Sequence, residues 1–173
     1  MIASTDACVL PPDRAPRRAA AHVSVVVTLL VLVAFIYWPV LGHSFVNIDD
    51  PGYLTRNPRV ADGFSPGDLR WVFTEPHLAN WHPVTTLSHL LDVELFGLNA
   101  PWHLIENVIL HATCAALLYS LLLRTTGRLG ASALVAVLFA VHPTRVESVA
   151  WVSERKDVLS GVFMMLTLHA YVS

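Results

Sequence analysis

The sequence predicts an all-α polytopic membrane protein, a bundle of about four membrane segments. Hydrophobic residues make up 54% of the chain and charged residues only 14%, whereas soluble domains carry about 25% charged residues. The mean hydropathy is +0.55, and the apolar residues fall into a few long runs. The formal net charge of -2 gives no electrostatic reason to expect a nucleic-acid partner.

The first membrane segment is predicted at residues 21–41, behind a polar cytoplasmic tail at residues 1–20. A membrane-spanning helix needs about 20 apolar residues, and this run supplies them. Basic residues before a span favour a cytoplasmic N-terminus; here they are Arg14, Arg17 and Arg18. No small-residue cleavage site follows, so we expect a retained signal anchor in a bacterial inner membrane or its equivalent.

Residues 42–101 form a long external loop with seven acidic and three basic residues. Two short amphipathic helices are predicted within it. One follows the helix-start pattern Ser65–Asp68 and ends before Pro76, and the other runs from Pro83 to Gly97. The apolar positions at helical spacing are Leu69, Val72 and Phe73 in the first helix and Val84, Leu87, Leu91 and Leu95 in the second. Such helices suit a layer on the bilayer surface.

Three further membrane segments follow the loop. They are predicted at residues 102–123, 129–141 and 158–173, with an external polar turn at residues 142–157 between the last two. The third segment is short and the fourth stops at the end of the chain. We therefore expect a fragment whose remaining spans and helical repeats lie beyond its C-terminus.

An acidic pair, Asp49 and Asp50, follows the first span. Carboxylates are costly at bilayer depth, so the pair is expected just outside the lipid. One carboxylate can serve as a general base whose pKa is raised by its charged neighbour. Alternatively the pair binds a divalent cation, or Asp-Asp-Pro-Gly is merely a turn.

The second span carries a polar stripe, because His103, Asn107 and His111 are spaced four residues apart. Such groups usually face the interior of a bundle. They either hold helices together by hydrogen bonds or line a substrate cavity. The stripe has no third clear metal ligand on this helix, so no metal site is predicted.

Basic side chains are concentrated in and just before the external turn. Arg145, Arg155 and Lys156 suit a lipid-linked phosphate, but a solvated cap between helices is equally compatible with their spacing. Thr144 and Glu147 form a helix-capping box. Upstream, Trp81 and His82 open the second amphipathic helix, where an interface anchor is the simplest interpretation.

The order of these motifs resembles the tetratricopeptide-repeat-containing membrane glycosyltransferases, among them the transmembrane O-mannosyltransferases. The matching stretches, in order, are Phe45–Tyr53, Asn80–Thr85, Trp102–His103 with Asn107 and His111, His142–Trp151 and Glu154–Gly161. The resemblance implies a GT-C fold with its active site in the first external loop. It further implies a polyprenyl-phosphate sugar as donor and a protein or glycan hydroxyl as acceptor.

The resemblance also suggests roles for individual residues. Asp49 is the expected base and Asp50 its neighbour. Donor-phosphate binding is expected from Arg145, Arg155, Lys156 and His82, and cavity lining from His103, Asn107, His111 and Glu147. No cofactor is implied, and a metal requirement stays open. The alternative to a mannosyltransferase is a non-catalytic membrane anchor or scaffold, or an inactive truncated fragment.

Overall fold

The structure of this protein, a computed structural model, describes residues 14–78 and 80–172. Every regular element in those ranges is helical, and they contain no β-strand. The predicted all-α class is therefore confirmed. Residues 1–13, most of the predicted cytoplasmic tail, lie outside the described ranges.

Eight α-helices follow one another along the described chain. They are α1 (Arg14–Ile36), α2 (Pro58–Ala61), α3 (Asp68–Thr74), α4 (Pro83–Phe96), α5 (Ala100–Thr126), α6 (Leu129–Val141), α7 (Val146–Ala150) and α8 (Arg155–Tyr171). Short 3₁₀ turns occupy Trp38–Gly42, Pro143–Arg145 and Val152–Glu154, and Pro51–Thr55 forms one π-helical turn. The three longest helices are α1, α5 and α8, and the short elements connect them.

Two stretches of the described chain are helical, long and apolar enough to cross a membrane, Ala19–Gly42 and Ala100–Thr126. They contain the segments predicted at residues 21–41 and 102–123. Helix α6 has the predicted bounds of the third segment and is apolar, but it is shorter than a full span. Helix α8 covers most of the predicted fourth segment. A total of four spans stays a prediction.

Helix α5 lies at the centre of the bundle and packs against α1, α6 and α8. Small buried residues such as Ala115, Ala136 and Ala140 line its contacts, and small side chains let helix backbones approach closely. Helix α8 approaches α5 closely at Gly161, where a Cβ atom would lie 3.0 Å from the Sγ atom of Cys114. The bundle is therefore held by close packing around α5.

Two helices, α3 and α4, lie in the loop after the first span, and their predicted amphipathic character stays a prediction. The Asp68 carboxylate accepts a hydrogen bond from the Ser65 backbone N–H at 2.7 Å, and Gly97, at φ +62°, ends α4. Most of their predicted apolar positions face outward: Leu69, Phe73, Val84, Leu91 and Leu95 are between 46% and 61% exposed. Contact of this outer surface with lipid stays a prediction.

The segment between α3 and α4 folds around the His77 ring. His77 packs edge-on against Tyr53, with ring centroids 5.1 Å apart, and also lies beside Trp71. Its Nε2 atom is 3.1 Å from the Gly52 carbonyl oxygen. These contacts join the π-helical turn after Asp50 to α3, so this part of the loop after the first span is compact.

Candidate functional site

Asp50 is fully buried, and its carboxylate accepts four hydrogen bonds. Oδ2 accepts from the Val46 backbone N–H at 2.7 Å. Oδ1 accepts from Trp151 Nε1 at 3.0 Å, from the Ser153 backbone N–H at 3.1 Å and from the Ser153 hydroxyl. Charge-assisted bonds of this kind are the strong ones in proteins. Asp50 therefore fastens the loop after the first span to the turn before α8.

Asp49 differs from its neighbour in both exposure and bonding. Its side chain is only partly buried, and no hydrogen bond or ion pair to its carboxylate is found within the described ranges. The backbone around it is held, because its carbonyl oxygen accepts from the Gly52 and Tyr53 N–H groups at 3.0 Å each. The two acidic residues are thus unequal: one carboxylate is committed to the fold and the other is available.

The turn at Val152–Glu154 brings a cation near the acidic pair. Lys156 Nζ lies 2.6 Å from Glu154 Oε1 and 3.4 Å from the Ser153 carbonyl oxygen. Because Ser153 also binds Asp50, this ammonium group is anchored beside the same turn. Lys156 is partly exposed, so its remaining donors can bind an anion.

The polar stripe predicted on α5 is buried throughout. His103, Asn107 and His111 are each at most 1% exposed. Asn107 Nδ2 donates to the Trp151 carbonyl oxygen at 3.0 Å, and His111 Nε2 is 3.1 Å from the Ala140 carbonyl oxygen. These contacts join α5 to α6 and to the turn before α8. His111 also borders a small cavity of about 70 Å³ between α5 and α8.

Arg155 is fully buried at the start of α8. Nη1 lies 2.6 Å from Asp92 Oδ2 and 2.8 Å from Glu106 Oε2. Nε donates to Asn107 Oδ1 at 2.9 Å, and Nη2 donates to the His103 carbonyl oxygen at 2.7 Å. The guanidinium thus ties α8 to α4 and α5. In this arrangement the guanidinium N–H groups are directed at oxygen atoms of the protein. Binding of the sugar donor's phosphate by Arg155 stays a prediction.

Asp92 is the acidic residue that sequence reasoning missed. It is 3% exposed, and burial alone would raise its pKa. Hydrogen bonds from His103 and Glu106 and the charge of Arg155 outweigh that effect, so the pKa of Asp92 lies below its usual range. The available signal was its position on α4, on a flank of the helix beside the predicted apolar stripe.

The residues predicted to bind the donor phosphate are distributed over separate places. His82 and Lys156 share an open groove of about 240 Å³ between α4 and α8, which we call the α4–α8 groove. Its apolar wall includes Trp81, Leu159 and Phe163. Arg145 instead borders a groove of about 350 Å³ at the C-terminal end of α6, and Arg155 lines neither.

Arg145, in the turn before α7, and Glu147, in the first turn of α7, are both exposed. The Arg145 guanidinium carbon is 4.7 Å from the centre of the Phe139 ring, a cation–π contact. Its groove also contains His142 and Thr144, whose side chains contact each other at 2.7 Å. Glu147 is exposed, and its predicted place in a substrate cavity stays a prediction.

Comparison with known proteins gives several relatives with similar names. Protein O-mannosyl-transferase TMTC1 of Mus musculus is 31% identical over 172 residues, which are 92% of this chain and 18% of the relative. Protein O-mannosyl-transferase TMTC2 of Homo sapiens is 36% identical over 95 residues, 54% of this chain and 11% of the relative. Protein O-mannosyl-transferase F38B6.6 of Caenorhabditis elegans is 25% identical over 177 residues, 94% of this chain and 25% of the relative.

The chain therefore spans a quarter or less of the length of these curated relatives. No family model matches the chain. No solved structure matches it significantly.

Proposed function

This chain is a homologue of the protein O-mannosyl-transferases, and we propose that it forms part of a membrane enzyme that transfers mannose to a hydroxyl group. The donor is a polyprenyl-phosphate mannose and the acceptor is a protein side chain. The alternative of a non-catalytic anchor or inactive fragment is not favoured, because the relatives are named as transferases.

The observation that carries this proposal is the inequality of the acidic pair. Asp50 has four hydrogen bonds and no exposed surface, whereas Asp49 is partly exposed. A general base needs a carboxylate that can reach its substrate, held by a rigid surrounding. Asp50 supplies the rigidity and Asp49 the reactive oxygen.

The reaction proceeds by direct displacement at the sugar. Asp49 accepts the proton of the acceptor hydroxyl as its oxygen attacks the anomeric carbon of mannose. The bond between that carbon and the phosphate oxygen breaks, and the polyprenyl phosphate leaves with the electron pair. General-base assistance of this kind contributes about 10²–10⁴-fold.

Negative charge grows on the departing phosphate, and a fixed cation nearby stabilises it. Lys156 is the best-placed cation, since it lies beside the turn that binds Asp50. His82 lies on the opposite wall of the α4–α8 groove, and its apolar residues suit the first isoprene units of the lipid. The buried Arg155 acts as a positioning residue through Asn107 and Asp92.

The proposal is tested by transfer from radiolabelled polyprenyl-phosphate mannose in membranes that contain this chain. We expect Asp49→Asn to reduce transfer by about 10²–10⁴-fold. Asp62→Asn, which alters an exposed acidic residue of the same loop, is the matched control and should leave transfer unchanged. Wild-type turnover by the Asp49→Asn variant would exclude Asp49 as the base.

A further inference from the structure

A second cluster of polar side chains lies between α4 and α5. His89 and Asp92 are three residues apart on α4, so they share one face of that helix, and His103 lies in the first turns of α5. One ligand atom from each residue lies within 4.8 Å of the others. All three residues are at most 3% exposed. The spacing on α5 alone offered no complete metal-ligand set, and the missing ligands come from a different helix.

The hydrogen bonds of His103 restrict its protonation. Its Nε2 atom is 2.9 Å from the Gly97 carbonyl oxygen, which can only accept, so Nε2 carries the proton. Its Nδ1 atom faces Asp92 Oδ2, 3.1 Å away, so these two ligand atoms are placed to bind one cation. A ring that donates to a backbone carbonyl through its other nitrogen is the usual arrangement of a metal-bound histidine.

His89 provides an independent sign that a ligand is missing. Its side chain is almost completely buried, yet neither Nδ1 nor Nε2 has a hydrogen-bond partner in the described part of the chain. A buried polar group without a partner costs about 1–3 kcal/mol. Its ring centre is 6.4 Å from that of His103, so both rings can contribute a nitrogen to one ion.

Carboxyl oxygens lie next to the cluster. The Asp92 and Glu106 carboxyl groups both contact the single guanidinium of Arg155. The Glu106 side chain is 30% exposed and offers the polar edge through which an ion enters.

We propose that His89, Asp92 and His103 form a binding site for a divalent transition-metal ion, and that zinc fits this set of two imidazoles and one carboxylate best. Zinc binds such ligands at about 2.0–2.2 Å, so the ligand atoms must close by roughly 1 Å from their present separations. Arg155 orients the carboxylate from outside the ion, as outer-shell groups do. The bound ion joins α4 to α5 and stabilises the external loop on the first turns of the second long helix.

The test uses the full chain purified in detergent and stripped of metal, then titrated with cobalt as a spectroscopic substitute for zinc. We expect one cobalt ion per chain with the visible absorption of a low-coordinate site, which zinc then displaces. Loss of an outer-shell partner typically weakens metal binding about 10–100-fold. His89→Leu removes a direct ligand, so we expect a loss of about 100-fold or more.

His89→Leu is also informative about folding, because it removes no hydrogen bond of the protein. If the site holds no metal, leucine relieves an unpartnered imidazole, and the variant melts higher than the wild type while chelator changes neither. If the proposal is correct, chelator lowers the melting temperature of the wild type and of the control His43→Gln, whose side chain is exposed, but not that of His89→Leu. No stoichiometric cobalt on the wild type, or equal binding by His89→Leu, overturns the proposal.

Discussion

The indole Nε1 of Trp151 donates a hydrogen bond to Oδ1 of Asp50 across 3.0 Å, although the two residues are 101 positions apart. This bond, with those from Ser153, closes the loop after the first span onto the turn before α8. Its closure keeps the loop backbone around Asp49 in one place. The bond therefore links the packing of the bundle to the proposed catalytic residue.

Replacement of Asp50 should destabilise the fold more than replacement of any single donor. Asp50→Asn leaves one acceptor oxygen for donors from three residues, and each buried donor left unpaired costs about 1–3 kcal/mol. Trp151→Phe removes one charge-assisted bond, worth about 1.5–3 kcal/mol. Thermal unfolding of the detergent-solubilised chain by circular dichroism measures both. Trp81→Phe, at a site 60% exposed, is the control, and an Asp50→Asn variant as stable as that control would contradict the assignment.

Removal of the buried cation at Arg155 should be among the most damaging changes in the chain. Arg155→Gln leaves the carboxylates of Asp92 and Glu106 without their partner, and breaking a buried ion pair costs about 3–5 kcal/mol. Neutralising one carboxylate as well, in the double variant with Asp92→Asn, should restore part of the loss. A double-mutant cycle on melting temperatures measures this coupling, and strictly additive effects would rule it out.

The α4–α8 groove and the groove beside Arg145 are two alternative places for the donor phosphate, and they lead to different predictions. If the α4–α8 groove holds the phosphate, Lys156→Gln should weaken binding of a polyprenyl phosphate by about tenfold, since a charged hydrogen bond contributes about 1.5–3 kcal/mol. Arg145→Gln should then bind normally. Fluorescent polyprenyl phosphate in nanodiscs that contain the chain reports the affinity. Weakened binding by Arg145→Gln alone would move the donor phosphate to the other groove.

The contact between α5 and α8 should not tolerate a larger residue at Gly161. A Cβ there lies 3.0 Å from Cys114 Sγ, and overpacking a close contact costs about 1–3 kcal/mol. Gly161→Val should therefore lower the melting temperature. Cys114→Ala removes the sulfur atom and should recover part of the loss in the double variant. Unchanged melting of Gly161→Val would show that the helices can separate at this point.

The stability of the loop after the first span should depend on pH through His77. Burial lowers the pKa of His77 below its ordinary value of 6.5, and its bond to Gly52 only partly offsets this. The unfolded chain therefore gains a proton at His77 before the folded chain does as the pH falls. Stability is full above about pH 6.5 and decreases below it, by at most about 1.4 kcal/mol per pH unit.

The variant His77→Gln should flatten this pH dependence. Melting temperatures measured between about pH 5 and pH 8 provide the comparison. His43→Gln, which changes an exposed histidine, should keep the wild-type profile. An identical profile in both variants would assign the pH dependence to other groups.

Residue type and order led to the candidate site residues, whose roles stay predictions. Asp49 and Asp50 were identified because a short acidic motif after an apolar run is rare and costly. The different bonding of the two carboxylates could not be predicted, because it depends on Trp151 and Ser153, which contact Asp50 only in the folded chain. For the same reason the sequence did not indicate that Arg155 is buried while Lys156 borders a groove.

Local composition determined the elements of this protein. Apolar runs, prolines at helix starts and Gly97 at the end of α4 indicated most of the longer helices, because these signals act within a few residues. Only the tertiary structure decided which polar groups meet. Arg155, Asp92 and His103 come from three different helices, and the pairing of buried charges depends on distances that no short sequence pattern encodes. The helices follow from the sequence, and the chemistry between them follows from their packing.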